Sequence, residues 1–402
     1  MNYIDFVCFF LIQHVPDPKQ CTVQGRGADR AEIECKTSFV LHVINCCGEP
    51  CSANVVTASI ASRTPVVKTS TICCNVREND TATYEISYTP KVRGRHNLNV
   101  YVNGVEVKNS PFRVFVEHPP ARLKNAKPIL VIDEPTCCLN PNRIKMDRQS
   151  RLIVTSWQEN KVFWYKIVAT QNENGEVFVH GNRDFEIGGK ENQDGELIHP
   201  NGVAVDKEGY IYVADWGNNR VQKFSQDGKF VDAFGCAGKK PGQFNCLTGM
   251  EISNDGKLFV GDFMNGRVQV VDTGFKNVAC FGTEGEGKLN QPEDIAFDSD
   301  GKIYVTDGKK NCVLVYSNTE TYHHHFVQFD GNSKPTGIHI DCSGFVYVVE
   351  RAKHQVSVFD SHKNLVTTFG KDADFAEPLG LTIDEDGFIY ICDSLQNRIQ
   401  VF

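Results

Sequence analysis

The sequence lacks the signals of several common protein classes. Its 16 cysteines form no C-x-x-C pair, so the usual spacing of a zinc site is missing. The apolar residues 1–14 are too few to span a bilayer. The glycine-rich segment 281–287 carries two glutamates where a phosphate cradle needs neutral backbone donors, and no Ser-His-Asp or Cys-His order has supporting context. We therefore expect no cofactor, no metal centre, no membrane span and no catalytic site.

Two further features concern the N-terminus and the cysteines. No basic region precedes the apolar residues 1–14 and no small-residue cleavage site follows, so a signal peptide is not favoured, and an incomplete N-terminus of a longer protein explains them at least as well. The cysteines are interpreted as buried, reduced thiols of an intracellular, cytoplasmic protein. They include the adjacent pairs Cys46-Cys47, Cys73-Cys74 and Cys137-Cys138.

The sequence does contain a repeated unit of propeller-blade length. In residues 200–224, alternating apolar runs flank two tight turns, which predicts three strands, and a fourth run follows at 230–234. Asp215, at the end of the second strand, recurs at spacings of 47, 45, 43 and 43 residues. The recurrences are Asp262, Asp307, Glu350 and Asp393. With a weaker copy at Ser156, six copies predict an all-β, six-bladed propeller.

Residues 15–117 predict a separate β-sandwich. Short alternating strands are separated by turn residues at sandwich spacing. The strands are predicted at 38–43, 83–88, 97–102 and 112–116. Residues 118–126 form a predicted stiff linker, since Pro119 and Pro120 favour extended chain. The propeller is then predicted over residues 127–402.

The segment 127–133 is an isolated strand without a nearby hairpin partner. The last repeat stops at Phe402, after its third strand, which would leave an open sheet edge. We expect residues 127–133 to pair with residues 398–402 and close the ring. This expectation also makes Phe402 the true C-terminus.

Charged pairs bracket the turn between the second and third strands in three copies. They are Asp215/Arg220, Asp262/Arg267 and Asp393/Arg398. A carboxylate and a guanidinium placed there can bond across the turn, and because the pattern repeats we favour a structural role over catalysis. The pair is lost in the other copies, which have Ser156/Lys161, Asp307/Cys312 and Glu350/Gln355.

Residues that vary within this frame are the better candidates for binding. In an up-and-down blade, the second turn and the connection to the next blade lie on one face. That face is predicted to carry Trp157, Asn201, Trp216, Phe263, Lys309, Lys310, Arg351, Lys353 and His354. Aromatics beside a basic arc suit RNA, by base stacking and phosphate contact, and they suit a protein interface equally well. A third interpretation is that this face binds nothing and consists of solvated loops with partly buried aromatic rings.

Charge argues against general nucleic-acid binding. Residues 1–120 carry 12 basic and 11 acidic residues, whereas residues 121–402 carry 30 and 39. An acidic propeller weakens a general claim of nucleic-acid binding but leaves room for a local basic face.

Two other features resemble metal-binding or catalytic signals. The run His323-His324-His325 could bind a metal ion, but it is predicted on an outer-strand connection, where a physiological site is not favoured. Some six-bladed propellers are metal-dependent enzymes with inward His, Glu or Asp in several blades. Here the positions before the first strands are mostly proline with Asn, Thr, Glu or Leu, so no enzyme is expected.

Both predicted domains resemble known repeats. Residues 200–224 and 378–402 carry nearly the whole pattern P-x-G, then D-x-x-G-x-I-Y-V-x-D-x-x-N-x-R-V-Q-x-F, and resemble NHL repeats. Residues 21–27, 82–90 and 109–116 resemble a filamin-type immunoglobulin-like repeat.

A filamin-type domain followed by six NHL repeats resembles the C-terminal half of TRIM-NHL proteins. The resemblance implies a non-catalytic target-recognition part that binds messenger RNA, single-stranded or hairpin, in post-transcriptional repression. The alternative it implies is a protein-binding substrate receptor for a ubiquitin ligase, whose RING is not found before residue 15. It also implies a filamin-type sheet edge that accepts a partner strand, or else a domain that is only a spacer.

Overall fold

The computed structural model describes residues 15–63, 71–80, 82–91, 93–117, 119–133, 140–147, 149–171, 177–189, 193–276 and 278–402. The described chain is built of β-strands and short 3-10 helices, so the all-β prediction is confirmed. It forms two compact units, one mainly of residues up to Pro119 and one mainly of residues from Pro120 onward. Within the described ranges, no helix has the length and apolar character needed to cross a membrane.

The first unit contains two β-sheets around one hydrophobic core. The first sheet has the order Thr22–Gln24, Thr37–His42, Thr83–Tyr88, Asn75–Asp80. The second has the order Arg30–Glu32, Phe112–Glu117, Gly94–Val102, Val56–Ser62, Thr71–Cys73, with Val105–Glu106 beside Gly94–Val102. Alternate residues face the core, as Leu98 and Val100 do, and this period of two explains why the sequence predicted these strands to within three residues at their ends.

The second unit contains six four-stranded antiparallel sheets among the described residues, named sheets one to six. Sheet one is Pro141–Met146, Arg151–Ser156, Lys161–Gln171, Val177–Ile187; sheet two is Pro200–Val205, Ile211–Asp215, Arg220–Phe224, Phe230–Phe234. Sheet three is Leu247–Ile252, Lys257–Asp262, Arg267–Asp272, Val278–Phe281; sheet four is Pro292–Phe297, Ile303–Asp307, Cys312–Tyr316, Tyr322–Gln328. Sheet five is Pro335–Ile340, Val346–Glu350, Gln355–Phe359, Leu365–Phe369.

Sheet six joins distant parts of the chain. Its strands Pro378–Ile383, Ile389–Asp393 and Arg398–Val401 are completed by Leu130–Asp133. Leu130 lies opposite Val401 and Asp133 opposite Arg398, in antiparallel register. The first strand of each sheet contacts that of the next, and the first strand of sheet six contacts that of sheet one.

Hydrophobic clusters fill the spaces between neighbouring sheets. Trp164 of sheet one packs with Val203 and Val213 of sheet two, for example, and all three are nearly inaccessible to solvent. The P-x-G glycine of the repeat allows the first strands to approach closely, since a Cβ on Gly202 would lie 2.2 Å from the Thr248 carbonyl oxygen. Packing of this kind fixes each sheet relative to the next.

Short elements complete the second unit. Within the predicted linker, the 3-10 helix Pro120–Leu123 places Leu123 in the core between sheets five and six. The remaining 3-10 helices are Arg26–Ala28 in the first unit, and Trp216–Asn218, Phe263–Asn265, Arg351–Lys353, Lys371–Ala373 and Ser394–Gln396 in the second. The two-residue strands Cys236–Ala237 and Gln243–Phe244 pair in parallel.

Candidate functional site

The candidate face is formed by the turns that join the second and third strands of the sheets, called here the turn face. In sheet two the second strand ends at Asp215, the 3-10 helix Trp216–Asn218 follows, and Asn219 adopts φ 53° before the third strand begins. Sheets three, five and six repeat this path. Asparagine and glycine tolerate this left-handed conformation, and His354 occupies it in sheet five.

The repeated aspartate stabilises this turn through hydrogen bonds to its buried carboxylate. Asp215 is fully buried, and its Oδ1 accepts a hydrogen bond from the Ile198 backbone N–H at 2.8 Å. Its Oδ2 accepts bonds from Arg220 Nε at 2.9 Å, Asn218 Nδ2 at 2.9 Å and Gln222 Nε2 at 3.0 Å. One carboxylate thus ties both strands to the loop that enters the sheet.

The other two predicted pairs have the same geometry. Arg267 Nε lies 2.8 Å from Asp262 Oδ2, and Arg398 Nε lies 3.4 Å from Asp393 Oδ2. The glutamine two residues after each arginine is a further donor that the sequence analysis did not single out, although it repeats as Gln222, Gln269 and Gln400. The recurrence of this glutamine in the sequence R-V-Q or R-I-Q is the pattern that could have identified it.

The copies without arginine satisfy their acidic group differently. Asp307 accepts backbone N–H groups, including that of Lys310 at 2.8 Å. Glu350 accepts from Gln355 Nε2 at 2.8 Å and pairs with Lys353 Nζ at 2.8 Å. Lys353 is therefore already engaged by its own turn.

Left-handed asparagines connect four of the six sheets to the next. Asn160 Oδ1 accepts the His199 N–H at 2.8 Å, and Asn219 Oδ1 accepts the Cys246 N–H at 2.9 Å. Asn311 and Asn397 bond in the same way to Lys334 N at 2.9 Å and Asn140 N at 3.1 Å. These bonds fix the loops of the turn face, and no local sequence pattern predicts them because their partners are distant in sequence.

An aromatic cluster lies at one end of the turn face. Trp157 stacks on His199 with centroids 4.8 Å apart, and Trp216 lies 4.8 Å from Trp157 at a tilt of 58°. His199 comes from the connecting loop and was not among the predicted residues. All three rings are partly buried, as is Phe263 on the next turn, whereas the neighbouring Met264 is 58% exposed.

The basic residues of the turn face carry less uncompensated positive charge than the sequence predicted. Arg351 pairs with Glu377, and Lys353 pairs with Glu350, so part of the predicted positive charge is compensated. In the part of the chain that the structure describes, Lys309 and Lys310 form no ion pair. The same holds for Lys334, an exposed residue of the loop entering sheet five that the sequence analysis did not select.

The first strands bring charged residues together between the sheets. Arg143 and Asp294 occupy the P-x-G glycine position in sheets one and four, and Arg143 Nη2 donates to the Glu293 carbonyl oxygen at 3.2 Å. Burial raises the pKa of Glu293 and of Asp294, while the charge of Arg143 opposes that rise. Lys145 pairs with Glu251. Arg143 and Lys145 thus contact acidic residues of other sheets, while Arg143 Nε and Nη1 are buried without a hydrogen-bond partner in the described chain.

Two predicted placements are wrong. Asn201 lies in the strand Pro200–Val205 rather than in a connecting loop and is only 8% exposed, because the strand begins at the proline. The run His323-His324-His325 lies in the outer strand Tyr322–Gln328 rather than in a connection. Among the described residues, no group of three or more His, Cys, Asp and Glu side chains could hold a metal ion. The interpretation of the cysteines as buried is also wrong for the exposed residues Cys46, Cys47, Cys73, Cys236 and Cys342.

Family models match both predicted repeats. The Filamin/ABP280 repeat matches residues 15–113, and the NHL repeat matches residues 197–224, 289–316 and 375–402. The predicted filamin and NHL repeats are thereby confirmed, and neither is a catalytic domain.

Curated relatives match over parts of the chain. The E3 ubiquitin-protein ligase TRIM71 of Xenopus tropicalis is 30% identical over 148 residues, which is 37% of this chain and 11% of that protein. The human E3 ubiquitin-protein ligase TRIM45 is 33% identical over 106 residues, 26% of this chain and 18% of that protein. Protein lin-41 of Caenorhabditis elegans is 54% identical over 44 residues, 11% of this chain and 4% of that protein. The matched region thus spans less than a fifth of each relative.

A solved structure shares the fold. A protein of unknown function from Bacteroides thetaiotaomicron VPI-5482 is 14% identical with a TM-score of 0.50, covering 96% of this chain and 99% of that chain. The Lin-41 filamin domain is 22% identical with a TM-score of 0.24, covering 26% of this chain and 97% of that domain.

Proposed function

The chain has the domain content of the C-terminal region of TRIM-NHL proteins, a filamin repeat with NHL repeats, and on this premise we propose that it recognises targets for such a protein. The proposed target is RNA, single-stranded or looped, bound on the turn face in post-transcriptional repression. The chain then acts in the cytoplasm without catalysing a reaction.

We further propose that the six sheets are the blades of a closed six-bladed propeller over residues 127–402, following a filamin-type domain at 15–117 and a linker at 118–126. The cyclic contacts of the first strands support closure, as does the pairing of Leu130–Asp133 with Arg398–Val401. In such a ring the six turns lie on one face, and adjacent turns can contact one ligand.

The observation that carries the RNA proposal is the order of side chains along three adjacent sheets. Trp216 and Phe263 lie on the turns of sheets two and three, and Lys309 and Lys310 follow on sheet four. Lys334 continues the arc toward sheet five. Rings can stack on bases, and lysines without ion pairs can neutralise phosphates, so one strand can make both contacts in sequence.

A titration against a randomised RNA pool at two salt concentrations tests this proposal. Replacing Lys309 and Lys310 by glutamine should weaken binding for all sequences alike and lower the log–log salt slope by about 1.4, or about 0.7 per lysine for single strands. Lys353→Gln is the matched control, because Glu350 already engages that ammonium group, and its slope should change less. If no sequence or hairpin is enriched by the wild-type chain, the RNA proposal is wrong.

A protein-binding substrate receptor for a ubiquitin ligase is the second candidate. Met264 and Leu395, on the turns of sheets three and six, are 58% and 66% exposed. Exposed aliphatic side chains suit a protein interface better than base stacking. In that case Trp216→Ala would still weaken target binding, while RNA affinity would be low and insensitive to Lys309 and Lys310.

A strand-donating partner at the filamin-type domain remains a further proposal. The edge strand Asn75–Asp80 exposes Arg77, Glu78 and Asp80, and such charges oppose strand addition. The edge Thr71–Cys73 lacks charge and is the better acceptor.

A further inference from the structure

The turn between the first and second strands carries the same hydrogen bond in sheets two, four, five and six. The aspartate that begins the turn accepts a bond from the hydroxyl of the tyrosine six residues later, as Asp206 Oδ2 does from Tyr212 at 3.0 Å. The same bond joins Tyr304 to Asp298, Tyr347 to Asp341 and Tyr390 to Asp384, at 3.4, 3.1 and 2.9 Å. These turns lie at the end of the sheets opposite the turn face, since successive turns of an antiparallel sheet alternate between its two ends.

Sheet three lacks both members of this pair. Ser253 stands at the position of the aspartate, and Phe259 stands at the position of the tyrosine. The Ser253 hydroxyl preserves the turn, because it accepts the Lys257 N–H at 3.1 Å and donates to Asp255. Phe259 has no hydroxyl, so the bond that links strand and turn in the other four sheets cannot form here.

A cleft of about 330 Å³ lies at this place, between sheets three and four. Phe259 and Phe297 line it, and their ring centroids are 5.0 Å apart in an edge-to-face arrangement. Ile303 adds apolar surface, and both Ile303 and Phe259 are buried. Volumes of about 300–1,000 Å³ are typical of sites for small molecules. The cleft is therefore large enough for a small organic ligand with an apolar part.

The rim of the cleft carries an excess of negative charge. The two turns that form it, residues 253–257 and 298–302, contain three aspartates and two lysines. Asp255 and Asp300 line the cleft, and their side chains are 62% and 72% exposed. The lysines pair with these two carboxylates at 3.1 and 3.2 Å, so one negative charge is not balanced. The hydrogen bond from Ser253 lowers the pKa of Asp255, which is therefore ionised at neutral pH.

We propose that this cleft binds a small aromatic amine, with its ring against Phe259 and Phe297 and its ammonium group near Asp255 and Asp300. The phenylalanines offer edge-to-face or offset contact to a further ring. The excess negative charge of the rim favours a cation over an anion of the same size. Because this site and the turn face lie at opposite ends of the sheets, binding of the amine does not depend on the proposed RNA contacts.

Saturation-transfer NMR with tryptamine tests the proposal, since this method detects weakly bound ligands. Indole-3-propionate has the same ring with a carboxylate in place of the amine, and it should give no saturable signal. The variant Ser253→Asp/Phe259→Tyr restores the pair of the other sheets and should abolish tryptamine binding. Because this variant adds negative charge, the loss would come from filled space rather than from electrostatics. Thermal melting should show a folded chain, since four other sheets carry the same pair.

The contribution of charge is measured separately. Asp300→Asn should weaken tryptamine binding about two- to fivefold, as expected for an exposed ion pair. Asp227→Asn is the matched control, because it also removes an exposed carboxylate paired with a lysine, but on sheet two and outside the cleft, and it should leave the Kd unchanged. Three results would overturn the proposal: equal binding of tryptamine and indole-3-propionate, an unchanged Kd in the double variant, or no saturable binding of tryptamine to the wild-type chain.

Discussion

Substitution of Asp215 tests whether the repeated carboxylate stabilises the sheet rather than contacting a target. The side chain is fully buried and accepts four hydrogen bonds, three of them at Oδ2. In Asp215→Ala these donors lose their acceptor, and breaking a buried ion pair costs about 3–5 kcal/mol. Arg220 keeps an ion pair with Asp194 and a bond to the Gln193 carbonyl oxygen, so we expect the lower end, about 3 kcal/mol.

Thermal melting gives the assay. With an unfolding entropy of about 2.1 cal/mol/K per residue over roughly 280 residues, a loss of about 3 kcal/mol lowers Tm by about 5 °C. The control Asp194→Asn removes an ion pair whose acidic side chain is 66% exposed, and it should lower Tm by less than 2 °C.

A double-mutant cycle with Arg220→Met isolates the pair. The coupling free energy between Asp215 and Arg220 should be about 1.5–3 kcal/mol, the usual range for bonds to charged groups. Additive effects of the two substitutions would refute the structural role of the pair. So would an Asp215→Ala chain that melts like wild type but no longer binds its target.

Four further predictions concern other parts of the molecule. A chain beginning at residue 136 should melt well below one beginning at residue 121, because it lacks the outer strand of sheet six; equal Tm values would contradict the pairing as a source of stability. Trp216→Ala should weaken RNA binding by about 1–3 kcal/mol in a fluorescence titration, and an unchanged Kd would exclude stacking on this ring. Asn219→Ala should lower the free energy of unfolding by about 1 kcal/mol, as measured by urea denaturation, since the Cys246 N–H loses its partner. Burial, with a smaller contribution from the charge of Lys145, lowers the pKa of His339 to about 3. The unfolded chain therefore binds a proton at this residue near pH 6.5, whereas the folded chain does not. Stability should therefore fall by about 2 kcal/mol from this residue between pH 7 and 5, and His339→Gln should reduce that loss.

The sequence predicted strands well because their signal is local. The strand Ile211–Asp215 is buried along its whole length and is bounded by turns that can be recognised from five or six residues. The pair Asp215/Arg220 was also within reach, because its members are five positions apart and recur.

The missed residues depend on contacts between distant segments. His199 joins Trp157 only because the chain returns to the same face after a full strand pair, and no local pattern marks it. Glu377 compensates Arg351 across 26 residues, which turned a predicted cationic position into an ion pair. Asn201 is buried for a similar reason, since the proline before it starts a strand that contacts the first strands of sheets one and three.

Two strands that pair in sheet six are synthesised at widely separated times. Leu130 leaves the ribosome roughly 270 residues before Val401, its partner in the register. At about 5–20 residues per second, this strand waits about 15–55 s before its partner exists. Until then its apolar side chains and unpaired backbone groups are open to chaperones or to wrong partners. We expect the yield of folded chain to depend on that interval, so that slower translation favours aggregation even though the finished protein is equally stable.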